Sequence, residues 1–291
     1  MHYLFLAILC SVAVSVLLKT ARRFNVAIEQ SIAFNYVVAL LLSYFLLIPN
    51  FQGLSFTDFI IQNENSGIFL TLGLLLPSIF LIMSKAVELT GIVRADAAQR
   101  LSLFLPILSA FILFDETLNL ARVISLILAF SSLFCLIKKP RGQNQLSIKG
   151  GLSLLSVWLG YGMIDILFKQ TAKMGNAFPT TLFIAFTIAM CVMFVFLLIK
   201  RTQWHLSSLL AGIILGSLNF MNILFYIRAH QFFNQNPTFV FAGMNVGVIC
   251  LGAIIGVVIF KEKISKINGV GIVLGILAIL SLFYLEPFLA R

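Results

Sequence analysis

Ten long apolar runs constrain this chain more than any other feature. They fall near residues 3–18, 31–48, 67–84, 95–114, 120–137, 151–168, 179–199, 207–227, 238–260 and 267–285. Most approach the roughly 20 residues that a helix rising 1.5 Å per residue needs to cross a hydrocarbon core about 30 Å thick. The first, second and fifth lie near the short end of that range. In hydrocarbon a backbone must satisfy its own N–H and C=O groups, and runs this long without polar alternation do so only as helices. Of the 291 residues, 60% are hydrophobic and 10% charged, against about 25% charged in a soluble domain. A soluble fold of this length could not hide so much apolar surface. The expected fold is therefore an all-α membrane protein of ten transmembrane helices, multi-pass in the inner (plasma) membrane.

The formal net charge is +10. Its bases cluster between apolar runs, as in Lys138-Lys139-Pro140-Arg141. That placement fits loop charge that orients helices better than a nucleic-acid surface, so no nucleic-acid partner is expected. Cys10, Cys135, Cys191 and Cys250 all lie inside apolar runs without CxxC spacing, which argues against a disulfide framework or a zinc site. The N-terminal run has no preceding Lys or Arg and no small-residue cleavage site before Lys19, so it reads as a retained first helix.

The joints carry turn residues: Pro49-Asn50, Gly53, Pro140-Arg141-Gly142, Gly175-Asn176 and Asn236-Pro237. The longest, Phe51–Ser66, holds Asp58 and Glu64. The chain also repeats itself. Shifted by 146, residues 98–137 fall on 244–283 without a gap, setting Phe114-Asp115-Glu116-Thr117-Leu118 on Phe260-Lys261-Glu262-Lys263-Ile264 and Gln99 on Asn245. Lys19 pairs with Lys169 and Lys85-Ala86 with Arg228-Ala229 at similar shifts. Two repeats follow, 1–140 and 148–286, each of five helices. An odd number makes the second enter the membrane the opposite way round, the inverted-repeat plan of secondary transporters with a midplane site.

Ten helices in two halves, each with an apolar helix ending in Phe-x-Glu (Phe114-Asp115-Glu116 and Phe260-Lys261-Glu262) and then a further helix, resemble the drug/metabolite transporter superfamily of the EamA type. The glycine-containing stretch Asn268–Gly275 adds to the resemblance, which covers nearly the whole chain. It implies a metabolite transporter whose helices 1–4 and 6–9 surround a cavity while helices 5 and 10 pack outside. Amino-acid or related metabolite export is the implied activity; other branches translocate lipid-linked headgroups. The fifth helix departs from the pattern, with Ala and Ser where such helices usually have Gly. The resemblance implies both termini inside, whereas Lys and Arg counted by loop put 15 of the 20 on the side that leaves both termini outside.

Polar residues within the runs mark candidate sites, because a charge at the bilayer centre costs at least about 2.5–3.5 kcal/mol. Asp165 is the only acid well inside a central run. Trp158, Tyr161, Asp165 and Lys169 share one helix face. They read either as a cavity wall, with aromatics to stack on substrate and an acid for a cation or proton, or as a neutralised Asp165–Lys169 pair. Asn219, Asn222 and Tyr226 share a face of the eighth helix, and Asn245 and Gln99 are single carboxamides in the ninth and fourth. These could bind a zwitterion or only bond neighbouring helices; Asn35 is similar. Lys85 and Arg228 could attract an anion, or snorkel and, for Lys85, pair with Glu88. Glu116 and Glu262 sit among basic neighbours at helix ends, where neutralisation is the expected role. Gly212-x-x-x-Gly216, Gly243-x-x-x-Gly247, Gly252-x-x-x-Gly256 and Gly271-x-x-x-Gly275 allow close helix approach, in a monomer or homodimer. Pro77, Pro106 and Pro237 can kink or break helices.

The function expected is a secondary transporter of a small-molecule substrate, working by alternating access. No GxxxxGK[ST] loop occurs, so the energy comes from a gradient. His2, His205 and His230 make no ligand spacing and no nucleophile constellation is visible, so neither an enzyme nor a cofactor is expected.

Overall fold

The computed structural model describes residues 2–24, 26–63, 66–106, 108–109, 120–137, 148–173, 178–233 and 237–285. The first Phe-x-Glu segment with Glu116, the basic loop after residue 137 and the side chain of Lys169 lie outside the described residues. Every regular element among them is helical: α1 (His2–Thr20), α2 (Ile28–Leu47), α3 (Phe56–Gln62), α4 (Ser66–Thr90), α5 (Ile92–Leu101), α6 (Leu120–Ile137), α7 (Ile148–Lys173), α8 (Phe178–Ile199), α9 (Leu206–Phe232), α10 (Pro237–Val258) and α11 (Lys266–Leu280). Among the described residues, seven helices are long and apolar enough to cross a membrane: α1, α2, α4, α7, α8, α9, and α11 with its π-helical extension to Leu285. α6 and α10 add shorter apolar stretches. The chain is a multi-pass membrane protein.

Two compact units divide the chain, and each takes residues from both halves of the sequence. The first comprises Met1–Lys19, Ile82–Gly162 and Met221–Arg291. Its largest helix pair is α6 against α11. Ser132 Oγ donates to the Gly271 carbonyl at 2.6 Å, and Asn268 Nδ2 donates to the carbonyls of Cys135 and Leu136 at 2.9 and 3.3 Å. Ser132 of α6 thus donates to α11, and Asn268 of α11 donates back to α6. The glycines come from α11, where a Cβ on Gly271 would lie 3.0 Å from Cys135 Cβ. On the other side α1 packs on α9 and α10 through Leu4, Ala7, Val12, Ala229, Val240 and Met244, with Gly243 and Gly247 facing Leu4 and Ile8.

The fourth apolar run is not one helix. α5 stops at Leu101, and Ser102 and Leu103 form a turn before the chain resumes helical geometry at Phe104. The cause is local. Pro106 has no N–H to give the Ser102 carbonyl, so the Leu105 N–H bonds Ser102 O at 2.9 Å and leaves the Leu101 carbonyl without its helical donor. Pro77 leaves α4 continuous, and Pro237 opens α10 at the first helical position, where a missing N–H costs nothing.

The second unit comprises Thr20–Leu81 and Met163–Phe220. α2 runs along α8, with Tyr36 and Phe186 in contact and both buried. Gly212 and Gly216 of α9 let its backbone approach Ser31 and Asn35 of α2; Ser31 Oγ donates to the Ser208 carbonyl at 3.0 Å. The long joint after α2 folds into α3, whose N-cap Ser55 accepts from the Asp58 N–H at 3.2 Å. Phe59, Phe69 and Ile184 form a small core beneath it.

Candidate functional site: a polar seam along α1 and α5

In the first unit, α1 carries Ser11, Ser15 and Lys19 at successive spacings of four, which places them on one stripe. α5 answers with Arg100 and Asp96, again four apart. Arg100 donates to Ser11 Oγ at 2.5 Å and Ser15 Oγ donates to Asp96 Oδ1 at 2.6 Å. Lys19 forms an ion pair with Glu262. At 1.5 Å per residue the eight steps from Ser11 to Lys19 make a seam about 12 Å long.

Glu262 closes one end of it. Gly91, the residue before α5, has φ +89°, a left-handed value open to glycine, and it has no side chain to cap the helix. Glu262, from a distant part of the chain, supplies the acceptor instead: its carboxylate takes the Ile92 N–H at 2.8 Å and the Val93 N–H at 3.3 Å. A negative group here also meets the positive end of the α5 dipole. Space for it is made twice, since a Cβ on Gly91 would come within 2.5 Å of the carboxylate and one on Gly256 within 3.1 Å. The turn after α10 aims it: Lys261 is left-handed (φ 52°) and the Glu262 N–H bonds the Gly256 carbonyl at 2.9 Å. Beside this junction lies a cavity of about 280 Å³ lined by Lys19, Thr90, Arg94, Lys263, Asn268 and Glu262 among others.

Asp96 sits in the middle of the seam and is 2% exposed. Oδ1 is held by Ser15; Oδ2 has no hydrogen-bond partner among the described residues. Gly252 of α10 forms the wall over Oδ2, where a Cβ would lie 2.9 Å away. The Gly252/Gly256 pair therefore clears room for two carboxylates, Asp96 and Glu262.

No family model matches the sequence. An uncharacterized protein of Haemophilus influenzae is 64% identical over 291 residues, which is 100% of both chains. The chain belongs to the family of that Haemophilus protein. A solved crystal structure superposes on this family member with a TM-score of 0.62, covering 99% of this chain and 98% of the other at 13% identity. A likeness at that identity shows a shared fold alone.

The residues singled out from the sequence are distributed as follows in this family member. Trp158, Tyr161, Asn222, Tyr226, Asn245, Gln99, Lys85 and Arg228 belong to the first unit; Asp165 and Asn219 belong to the second. Trp158 is buried and committed to packing. Its Nε1 donates to the stranded Leu101 carbonyl at 3.1 Å and its ring meets Phe130 edge-on. Asn222 Nδ2 donates to the Ala7 carbonyl at 2.7 Å, tying α9 to α1. Tyr226 stacks edge-on with His230, and Tyr161, Gln99 and Asn245 are half-buried. Lys85 pairs with Glu88 at 2.9 Å, and the Arg228 guanidinium lies over the Tyr3 ring at 6.0 Å. In the second unit Asp165 is exposed, and Asn219 Nδ2 donates to Asn35 Oδ1 at 3.3 Å.

Sequence reasoning passed over Asp96, Ser11, Ser15 and Arg100 and gave Glu262 only a neutralising role. Two signals were available. Arg94, Asp96, Gln99 and Arg100 crowd into ten residues of α5, and Ser11, Ser15 and Lys19 share a helix face.

Proposed function

We propose that this protein is a secondary transporter that moves a small metabolite across the inner (plasma) membrane. The observation that carries the reading is the seam: a dehydrated acid, a base and two hydroxyls aligned inside an otherwise apolar helical protein. Ionisable groups are costly within a bilayer and are retained on substrate or ion paths. The interruption of the fourth run at Ser102 supports the same reading, because transporters build their sites on discontinuous helices. Ten spans arranged as two inverted repeats are the architecture we infer for it. The internal match of 98–137 with 244–283 and the tenfold series of apolar runs support that layout.

Amino acids or related zwitterions are the substrate class we assign, on the resemblance to EamA-type exporters and the uncharged amides Asn222, Asn245 and Gln99. The test is accumulation of radiolabelled amino acids in cells with and without the protein, together with growth on toxic amino-acid analogues. Lower accumulation and higher resistance in expressing cells are expected; unchanged values for both would remove the assignment. A second reading, translocation of an anionic lipid-linked headgroup, draws on the cavity where Lys19, Arg94 and Lys263 outnumber Glu262. Flipping of a fluorescent anionic lipid in vesicles, with no effect on amino acids, is its signature.

A further inference from the structure

We propose that Asp96 is the site at which the protein binds and releases a proton during its working cycle, so that the seam couples solute movement to a proton gradient. The inference rests on the transporter reading for the coupling and on the seam geometry for the proton. An acid this buried is normally satisfied at both oxygens. Here one oxygen is held by a hydroxyl and the other has no hydrogen-bond partner among the described residues. A proton on Oδ2 forms an O–H bond and removes the carboxylate charge, which is costlier to bury than a neutral carboxyl group. A metal cation would need about six oxygens, and Gly252 packs directly over Oδ2.

The surroundings supply the other parts of such a device. On α5 itself, Arg100 lies one turn away within electrostatic reach; Glu262, at the start of the same helix, acts with the opposite sign. From α1, Ser15 faces Asp96, with Ser11 and Lys19 a turn to either side. α10 holds no charged residue, α6 only Arg122 and α11 only Lys266. A proton arriving from the cavity at the Lys19–Glu262 junction is one helical turn, about 6 Å, from the Ser15 hydroxyl that bonds Asp96. Protonation removes a carboxylate charge within electrostatic reach of Arg100, and deprotonation returns it. Each change alters what holds α1 to α5.

Two measurements on the full-length protein test this. Infrared difference spectra of purified protein in lipid nanodiscs, titrated with pH in H₂O and D₂O, should show the carbonyl stretch of a protonated carboxylic acid. That band should vanish in Asp96→Asn, persist in the control Asp58→Asn on the exposed face of α3, and shift in Ser15→Ala. Asp96→Asn keeps the acceptor for Ser15, and a circular-dichroism melt checks that it folds. In proteoliposomes, one pH unit of gradient drives about tenfold accumulation per proton. With a radiolabelled amino-acid mixture as probe, Asp96→Asn should lose gradient-driven accumulation. An unchanged infrared band in Asp96→Asn, or full gradient-driven accumulation by it, overturns the proposal. Absence of uptake by the wild type under any gradient counts against the transporter reading, and the infrared result then decides the proton site alone.

Discussion

One carboxylate, that of Glu262, joins three parts of the first unit: the end of α1 through Lys19, the start of α5 through two backbone N–H groups, and the turn that follows α10. Truncating it to alanine leaves two α5 donors without their acceptor and Lys19 without its partner. An orphaned buried donor costs about 1–3 kcal/mol, so Glu262→Ala should lower the thermal midpoint in detergent clearly. Glu262→Gln, which keeps an acceptor oxygen, should lower it less. Equal losses for the two would mean that the ion pair, not the helix cap, is what matters. Gly252 makes a second residue-level prediction. Gly252→Ala sets a methyl 2.9 Å from Asp96 Oδ2, and overpacking of this kind costs about 1–3 kcal/mol. In an Asp96→Ala background the clashing oxygen is gone, so the same substitution should cost much less. A double-mutant cycle on thermal midpoints measures the difference, and strict additivity would show that Gly252 is not Asp96's wall.

At the level of elements, the break after α5 and the α6–α11 pair are where local chemistry shapes the unit. Pro106 breaks the ladder and Trp158 repairs it, donating to the carbonyl that lost its helical partner. Trp158→Phe keeps an aromatic ring against Phe130 but removes the donor. It should destabilise the protein by about 1–3 kcal/mol, seen as a lower thermal midpoint. No change would mean that the Leu101 carbonyl finds another donor. In the α6–α11 pair, Ser132→Ala forfeits one interhelical hydrogen bond, worth on average about 0.6 kcal/mol in a membrane, so its effect should be small. Gly271→Val should cost far more, because its side chain would meet Ser132 and Cys135 directly. If the glycines of α11 instead served a dimer, Gly271→Val would shift the mass of the solubilised particle and spare its melting point.

For the molecule as a whole, the charge bias between the two sets of loops predicts orientation. In the ten-span layout inferred above, fifteen of the 20 Lys and Arg fall on the side expected to be cytoplasmic. Lys19 and Arg100 are engaged in the seam, and setting them aside leaves the bias in place. A C-terminal alkaline phosphatase fusion should therefore be active, and a fluorescent-protein fusion at the same end should be dark. The opposite pattern would place both termini in the cytoplasm, as the family resemblance implies, and put the Lys19–Glu262 cavity on the outer side.

What the sequence determined by itself was the class of fold: an all-helical membrane protein, with helices over the apolar runs among the described residues. Helical hydrogen bonds close within four residues, so a membrane helix is written locally and can be read locally. The break at Ser102 was written there too, in Pro106, but was masked by the hydropathy of its neighbours. Tertiary structure alone decided which polar groups meet. Ser15 and Asp96 are 81 positions apart, and Lys19 and Glu262 are 243 apart. Their meeting depends on which face each helix turns to which neighbour and on how closely glycine lets the backbones approach. Hydropathy encodes neither, which is why exposed Asp165 drew attention and buried Asp96 did not.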